Sequence, residues 1–253
     1  MTRQESILNL LDKDGSCEVD SLAETFQVST QTIRTDLRQL AEQGLVTRTH
    51  GGVRKRASAS NHDYMQRRSL NAAAKVAIGS CASDLIPDHA SVMLNIGTTT
   101  EQVAQALKAH EGLTAISNNI NVINTLIGGS AKELILVGGS VRPQDGAIVG
   151  EQAVEFISGY KVDFAVIGAS SLDSDGAVLD FDAREVAVAR AILENARQKI
   201  LVCDGSKFDV TAPIRISSVG ELDYVITDRA PPEDFQAAAN AAGTKIIIAE
   251  AVS

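Results

Sequence analysis

The sequence contains only three cysteines, and no two of them lie close together. Cys17, Cys81 and Cys203 are odd in number and form no C-x-x-C pair. A disulfide framework needs paired cysteines, and a zinc site needs closely spaced ligands. We therefore expect small, buried or half-buried thiols and predict no metal.

Long apolar runs are also missing. No stretch approaches the roughly 20 apolar residues of a transmembrane helix, and residues 1–5 lack the apolar core of a signal peptide. These absences predict a cytoplasmic protein with no membrane partner. At 253 residues, 44% of them hydrophobic and 22% charged, the chain has a globular composition and room for one or two domains.

Acidic residues outnumber basic ones, but the two charges are unevenly distributed. The net charge is −9; residues 1–70 hold ten Lys or Arg against nine Asp or Glu, and the remainder holds thirteen against twenty-three. Within residues 27–56, six basic residues face two acids. A short basic stretch attached to an acidic body favours a nucleic-acid reader joined to a separate domain.

The first 43 residues show helical periodicity in three segments. Residues 3–13 and 19–26 predict two helices, and a turn at 27–29 leads into a third over residues 30–43, with Ser29 as its N-cap and Gly44 as its C-cap. The apolar positions of the third segment follow helical spacing: Ile33, Leu37, Leu40 and Ala41. This pattern predicts a helix-turn-helix.

The polar face of the third helix carries side chains that can read DNA. Gln31, Thr35 and Arg38 fall opposite the apolar stripe, and Arg34 lies on its flank. Gln and Arg make paired hydrogen bonds to adenine and guanine edges, and Thr contacts a thymine methyl or a phosphate. A solvated polar face is typical of any surface helix, so this helix alone leaves both interpretations open.

The next twelve residues favour the DNA interpretation. Residues 45–56 alternate apolar and polar side chains and turn at a Gly-Gly pair, which predicts the hairpin wing of a winged helix. Its basic residues are placed to neutralise phosphates beside the groove: Arg48, Arg54, Lys55 and Arg56.

These residues resemble the signature of the DeoR family of bacterial transcriptional regulators. The match runs through residues 27–37 and continues at Leu40, Gly44, Leu45, Arg48 and residues 50–52. The resemblance implies operator DNA as a partner. The DNA-contacting residues are expected to be Thr30, Gln31, Thr32, Arg34, Thr35, Arg38, Arg48, His50, Arg54 and Lys55. The family usually has a second Arg where this chain has Thr35, so the phosphate contact or operator preference can differ.

Beyond the wing, composition and periodicity predict a linker and a second domain. Residues 57–72 begin small and polar and are interpreted as the linker, which separates a DNA-binding domain at 1–56 from a sensing and oligomerisation domain at 73–253. Arg67 and Arg68 have either a DNA or allosteric role there, or are merely solvated.

The second domain alternates helices with apolar strands, without internal repeats. Continuous apolar runs predict an α/β fold with a mostly parallel sheet covered on both faces. Strands are predicted at 91–96, 113–117, 133–137, 162–167, 199–203, 224–227 and 245–249, and helices at 73–85, 100–110 and 119–126.

Polar, glycine-bearing loops follow several of these strands. In parallel sheets the carboxyl ends of the strands form the ligand edge, and a helix start with hydroxyls forms an anion cradle. The turn at 95–101 lacks both the P-loop and the G-x-G-x-x-G motifs, so no nucleotide cofactor is predicted. The expected effector-binding residues are Gly97, Thr98, Thr99, Thr100, Asn118, Gly138, Gly139, Asp173, Glu185 and Lys207. Each also has a plain interpretation as a turn, cap or solvated residue.

The resemblance extends through these loops to the DeoR sensor domain, which is similar to sugar-phosphate isomerases. It implies a phosphorylated sugar or polyol as effector. Residues 117–126, 145–151 and 156–158 look most like members that repress glycerol metabolism, which implies glycerol 3-phosphate. One departure is Ala189, where relatives often have a Lys, so one cation near the pocket is missing.

Three alternatives remain at this point. Another sugar-phosphate pathway, such as that of fructose phosphates, would need only a different effector. An isomerase would need a placed base, for which Glu185 or Asp173 are nominal candidates. A regulator acting through a protein partner would show no metabolite effect. A dimer or tetramer assembled through residues 73–253 is expected, because two readers must reach two half-sites.

Overall fold

A computed structural model describes residues 3–14, 16–42, 45–48, 52–55 and 64–250. The chain divides into two compact units, Met1–Ser60 and Asn61–Ser253. No helix among the described residues is both long and apolar enough to cross a membrane.

The smaller unit is a winged helix-turn-helix, as predicted. Its elements are α1 Arg3–Asp14, β1 Ser16–Glu18, α2 Val19–Phe26, α3 Thr30–Glu42, β2 Val46–Arg48 and β3 Gly52–Lys55. Ser29 caps α3, since its hydroxyl accepts from the Thr32 amide at 3.2 Å. The wing strands pair antiparallel, with Val46 opposite Lys55. Strand β1, which pairs with β3, was not predicted, because three residues carry too little periodicity.

The larger unit is built on one sheet of seven parallel strands. In chain order its helices are α4 Tyr64–Ser69, α5 Ala72–Ser83, α6 Thr98–Leu107, α7 Ile120–Leu126, α8 Glu151–Ser158, α9 Ala183–Glu194 and α10 Glu233–Ala242. Its sheet strands are β4 Ser91–Leu94, β5 Thr114–Ser117, β6 Glu133–Leu136, β9 Val162–Ile167, β12 Ala196–Val202, β14 Tyr224–Thr227 and β15 Lys245–Ile248. The spatial order is β15-β14-β12-β9-β4-β5-β6. The predicted α/β class is thus confirmed.

Each face of this sheet packs against its own set of helices. Side chains alternate along the strands, so Met93 and Ile116 join the core under α8, α9 and α10, whereas Val92 and Ala115 join the core under α5, α6 and α7. Both central faces are buried, which explains why these strands read as continuous apolar runs.

Short antiparallel strands interrupt the alternation and were not predicted. They are β7 Val141–Arg142, β8 Ala147–Ile148, β10 Ser171–Leu172, β11 Ala177–Asp180 and β13 Ile214–Ser218. The pair β7–β8 forms a hairpin after β6, and β10–β11–β13 form a small separate sheet. Two-residue strands have no detectable period, and helices α8, α9 and α10 were likewise missed.

From Tyr64 onward, the residues that were predicted to form a linker are mostly helical instead. There the chain forms α4 and the start of α5, and both belong to the larger unit. The physical reason is Lys75, whose buried ammonium donates to the Arg67 carbonyl at 2.5 Å and the Leu70 carbonyl at 2.7 Å. These bonds tie the end of α4 to α5, which packs on the sheet. Residues 57–63 lie outside the described part.

Candidate DNA-reading and effector-binding sites

Helix α3 presents its predicted polar face to solvent. Gln31, Arg34, Thr35 and Arg38 are exposed, and their i, i+3, i+4, i+7 spacing places them on one face. The apolar positions predicted for α3 face inward, and Ile33, Leu37 and Leu40 are each at most 1% exposed.

Two polar contacts hold the first turn and the inner side of α3. The Thr32 hydroxyl shares a 2.8 Å hydrogen bond with that of Ser29, and both Thr30 and Thr32 are half-buried at the first turn. Asp36, on the inner side, bonds Arg3 of α1 at 2.6 Å. These contacts fix the orientation of the exposed face, and the DNA contacts expected for Thr30 and Thr32 stay a prediction.

The predicted wing residues are only partly covered by the structure. The backbones of Arg48, Arg54 and Lys55 lie in β2 and β3. Their side chains, and the whole of His50, lie outside the described residues. Their contact with phosphates stays a prediction.

In the larger unit, the turn after β4 has the geometry of an anion cradle. Gly97 is the N-cap of α6 with φ 137°, in the region of φ that favours glycine. The first intrahelical bond runs from the Glu101 amide to the Gly97 carbonyl at 3.0 Å. The amides of Thr98, Thr99 and Thr100 precede it, and such first-turn N–H groups have no partner within the helix. They can bind an anion.

The threonines of this turn are buried, and their hydroxyl groups have different hydrogen-bond partners. Thr100 is 0% exposed and donates to the Gly97 carbonyl at 2.7 Å, so it shapes the turn. Thr98 reaches the carbonyl of Arg67, in α4, at 3.5 Å, the limit of a hydrogen bond. Of the two, Thr98 is the hydroxyl freer to turn toward a ligand.

A second group of charges follows β12. Lys207 lies in the 3-10 helix Gly205–Asp209, and Asp204 precedes it. Burial raises the pKa of Asp204, but Lys207, hydrogen bonds from Ser206 and Asn71, and Lys75 outweigh it, so that the pKa lies below its usual value. Burial lowers the pKa of Lys75, and Asp204, 4.0 Å from its ammonium, opposes this. The Asp204 carboxylate thus balances part of the positive charge of Lys75 and Lys207 at the sheet edge.

Arg142 organises the acidic side of the same edge. It binds Asp145 through two bonds of 2.8 and 2.6 Å and Glu185 at 2.6 Å. Burial raises the pKa of Glu185 to about 7, Asp180 adds to the rise, and Arg142 opposes it. Glu185, in the first turn of α9, is therefore at the predicted edge, but is paired with a cation that sequence analysis did not single out.

Asp173 does not join this group. It begins the turn between β10 and β11, where its carbonyl accepts from Gly176 at 3.0 Å. Gly176 in turn packs against Val219, whose carbonyl accepts from Thr244 just before β15 begins. The hairpin thus carries Asp173 toward the amino ends of the strands, and its plain interpretation as a turn residue fits.

The remaining predicted residues lie after β5 and β6. Asn118 is 1% exposed and donates through Nδ2 to the Ile148 carbonyl at 3.0 Å. Gly138 and Gly139 are exposed and lead into β7. A Cβ on Gly139, whose φ is 142°, would lie 2.8 Å from Ile148. The absence of a side chain at Gly139 therefore allows the chain to pass close to Ile148 in β8.

Sequence analysis missed the contacts that α4 makes with this edge. The hydroxyl of Tyr64 lies 2.7 and 2.8 Å from the two carboxylate oxygens of Glu101, which is 4% exposed, and Arg68 lies 3.9 Å from the same group. An acid in the first turn of an expected anion cradle was the available signal, because it needs compensation by neighbours.

Comparison with known proteins places both units. Residues 3–59 match the DeoR-like helix-turn-helix domain, and residues 70–229 match the DeoR C terminal sensor domain. The chain belongs to the DeoR family. As a member it is a DNA-binding transcriptional regulator with a sensor domain, and not an isomerase, the alternative that its second domain had left open.

Several relatives in the DeoR family are named repressors. The glycerol-3-phosphate regulon repressor of Escherichia coli (strain K12) is 41% identical over 230 residues, covering 91% of each chain. The repressor of the same name from Haemophilus influenzae is also 41% identical, over 90% of this chain and 89% of that one. The E. coli repressor CsqR is 36% identical over 91% of this chain and 88% of its own.

Among solved structures, ribose 5-phosphate isomerase from Plasmodium falciparum is similar over 56% of this chain and 54% of its own, with 11% identity and a TM-score of 0.40. The structure of eIF2B beta from Chaetomium thermophilum is similar over 78% of this chain and 54% of its own, with 15% identity and a TM-score of 0.44.

Proposed function

We propose that this chain represses genes of glycerol and glycerol 3-phosphate metabolism, and that glycerol 3-phosphate releases it from its operator. The support for the genes is the 41% identity to repressors named for that regulon. The observation that carries release by a phosphorylated metabolite is the glycine-capped, hydroxyl-rich start of α6 at the ligand edge of the sheet.

The charges at the carboxyl edge suit a phosphate monoester. A phosphate dianion at the amides of α6 gains from cations nearby, and Lys207 and Lys75 both belong to the charge group around Asp204. The acids on the other side, Glu185 and Asp145, are already paired with Arg142. The edge thus offers a cationic end for phosphate and a polar end for the rest of the molecule.

On the DNA side, Gln31, Arg34, Thr35 and Arg38 form the exposed face that enters the major groove, and the wing contacts phosphates. Two readers are needed to cover two half-sites, so the repressor acts as a dimer or tetramer assembled through the larger unit. Effector binding shifts the arrangement of subunits and releases the operator. A coupling of about 1–3 kcal/mol, or about 5- to 150-fold in affinity, is sufficient.

The test measures operator binding and metabolite binding separately. Fluorescence anisotropy with DNA from upstream of the glycerol-uptake genes of the source organism reports affinity, with and without each metabolite. The panel is glycerol 3-phosphate, fructose 1-phosphate, fructose 1,6-bisphosphate, inorganic phosphate and glycerol, and thermal shift of the same panel reports binding. We expect release by glycerol 3-phosphate alone.

Two other results would assign a different function to the chain. Release by a fructose phosphate would assign the repressor to another sugar-phosphate pathway. Specific DNA binding that no phosphate affects, without any thermal shift, would favour a regulator that responds to a protein partner.

A further inference from the structure

Asn95 and Asn118 occupy equivalent positions on adjacent strands. Each is the first residue after its strand, β4 or β5, and the register pairs Leu94 with Ser117, so the two asparagines are lateral neighbours. Adjacent strands lie about 4.8 Å apart. The ladder continues past β4, since the Asn95 amide donates to the Val166 carbonyl at 2.9 Å.

Strand alternation directs both asparagines to the same face. Each lies two residues after Met93 or Ile116, which belong to the core under α8 and α9. That face is also covered by α9, whose first turn contains Glu185. The neighbouring Asn119 donates through Nδ2 to the Asp145 carbonyl at 3.0 Å, and Asp145 binds Arg142. The pair therefore borders the polar end of the proposed effector site, and Asn95 lies two residues before the cap Gly97.

Both side chains carry an oxygen without a partner. Asn95 is 4% and Asn118 1% exposed, yet neither Oδ1 atom accepts a hydrogen bond from any described residue. A carbonyl oxygen only accepts, so its partner must be a donor. Buried polar groups in proteins are nearly always paired, and an exception needs a reason. Two such oxygens side by side, next to an anion cradle, indicate a ligand that carries hydroxyls.

We propose that the carbonyl oxygens of Asn95 and Asn118 bind hydroxyl groups of the effector and make the site selective for phosphorylated polyols. This rests on the proposed function, in which the phosphate of the same molecule lies at α6. Neutral amide oxygens suit this task, because they accept from hydroxyls without repelling the nearby phosphate as carboxylates would. An alkyl phosphate leaves them unpaired and is rejected.

The principal variant is Asn95→Leu, which keeps the branched shape of the side chain and removes the acceptor. Isothermal titration of the full chain compares glycerol 3-phosphate with n-propyl phosphate, a molecule of equal length without hydroxyls. We expect the wild type to prefer glycerol 3-phosphate by at least about tenfold, and the variant to lose most of that preference while its affinity for n-propyl phosphate stays within about twofold. Asn118→Ala should reduce the preference similarly, and Asn124→Ala, on the exposed side of α7, should leave it unchanged.

The melting temperature without ligand separates this role from a structural one. Replacing an unpaired buried polar group by an apolar one of similar shape is neutral or stabilising, so Asn95→Leu should melt at or above the wild-type temperature. A lower melting temperature with equal loss for both ligands would overturn the proposal, as would an unchanged preference. If the wild type binds none of the phosphates, the proposed effector is wrong and this subsite with it.

A separate observation concerns α4, the first helix of the larger unit. Both ends of α4 form hydrogen bonds at the proposed effector edge. At its beginning, Tyr64 donates to Glu101 in the first turn of α6, and at its end, Lys75 donates to the carbonyls of Arg67 and Leu70. Asn121 adds a bond to the Tyr64 hydroxyl at 3.1 Å. Along the chain, only residues 56–63 separate α4 from wing strand β3.

We infer that α4 transmits occupancy of the effector site to the DNA reader. An anion at Thr98–Thr100 attracts the Lys75 ammonium and repels the Glu101 carboxylate. It therefore weakens the hydrogen bonds that these two groups make with α4. Along the chain, α4 is the described element of the larger unit that is nearest to the reader, so a change in its contacts is the step that we assign to the coupling. This inference also rests on the proposed effector site.

Tyr64→Phe tests the transmission, because it removes one hydroxyl and keeps the ring. The coupling factor is the operator dissociation constant with saturating glycerol 3-phosphate divided by that without it. We expect this factor to fall at least about threefold below the wild-type value, with direct glycerol 3-phosphate affinity changed less than the coupling. Tyr160→Phe, a half-buried tyrosine stacked on Phe156, is the control. An unchanged coupling factor in Tyr64→Phe would overturn the inference, and absence of release in the wild type would instead refute the proposed effector.

Discussion

The helix proposed to read DNA and the sheet edge proposed to bind the effector both present polar side chains, but α3 exposes its polar side chains whereas the sheet edge buries most of its own. Gln31, Arg34 and Arg38 lie on one exposed face of a single helix. Thr98, Asn118 and Glu185 come from three separate loops and helix starts, and each depends on neighbours for compensation. A reader must meet a large partner at its surface, while a sensor must surround a small one.

This difference predicts how each region responds to substitution. Truncating an exposed reading residue removes a contact with DNA and leaves the fold unchanged. Truncating a buried sensor residue also changes its neighbours, so its effect spreads. Substitutions in each of the two regions test that contrast.

Arg34→Ala should weaken operator binding by about 1–3 kcal/mol per reader, or about 5- to 150-fold, because a lost base contact has that magnitude. Glycerol 3-phosphate affinity and melting temperature should not change. Fluorescence anisotropy and isothermal titration measure the two affinities. Arg197→Ala, an exposed arginine of the larger unit, controls for the loss of charge; equal DNA affinity in both variants would remove Arg34 from the contact set.

Lys207→Ala should preserve DNA binding and weaken the metabolite response by roughly tenfold or more, because hydrogen bonds to charged groups contribute about 1.5–3 kcal/mol. The effect should spread, since Lys207 also helps to keep Asp204 ionised. Thr98→Ala should act in the same direction by a smaller factor. The metabolite concentration for half release measures both, with exposed Lys132→Ala as control. A full response in both variants would show that the phosphate binds elsewhere.

Thr35→Arg sharpens the description of the reader. Thr35 is exposed, and its hydroxyl bonds back to the Gln31 carbonyl at 3.0 Å, so the position accepts a longer side chain. An additional phosphate contact should raise DNA affinity a few-fold at low salt and steepen the slope of log affinity against log salt by about 0.9. Titrations at several salt concentrations measure the slope. An unchanged slope would mean that residue 35 faces bases or solvent and not a phosphate.

The sequence was sufficient for the features that repeat along one element. The polar face of α3 follows from a period of 3.6 residues, the wing hairpin from apolar–polar alternation, and the strand Val162–Ile167 from a continuous apolar run, and the structure contains all three elements. Glycine and hydroxyl content also predicted the strand-to-helix turn after β4, where Gly97 is the N-cap of α6.

What could not be predicted depends on contacts between distant segments. Arg142 follows Gly139 by three residues, but only the β7–β8 hairpin brings it to Glu185. Asp173 was grouped with the site because it follows a strand, while the β10–β11 hairpin carries it away. Tyr64 was assigned to a linker, since nothing local shows that its hydroxyl meets Glu101, 37 residues later.

The last prediction concerns stability and not binding, through the pH dependence at Glu185. Its pKa rises from the ordinary 4.5 to about 7 in the folded chain, chiefly through burial. Between these values the folded state holds a proton that the unfolded state has released, so stability falls as pH rises through this window. Each pH unit there changes the free energy of unfolding by up to about 1.4 kcal/mol.

Glu185→Gln stays neutral at every pH and loses this dependence. Its melting temperature relative to the wild type should therefore rise by about 5–10 °C from pH 5 to pH 8, because the wild type loses about 2.5 kcal/mol over this range and each kcal/mol corresponds to roughly 2–4 °C in a unit of this size. The difference between the two proteins cancels the other titrating groups. If it stays constant with pH, Glu185 is ionised throughout, and the ion pair with Arg142 prevails over burial. Such a result would make the acidic side of the effector edge a fixed anion, and weaken the contrast between a buried sensor and an exposed reader.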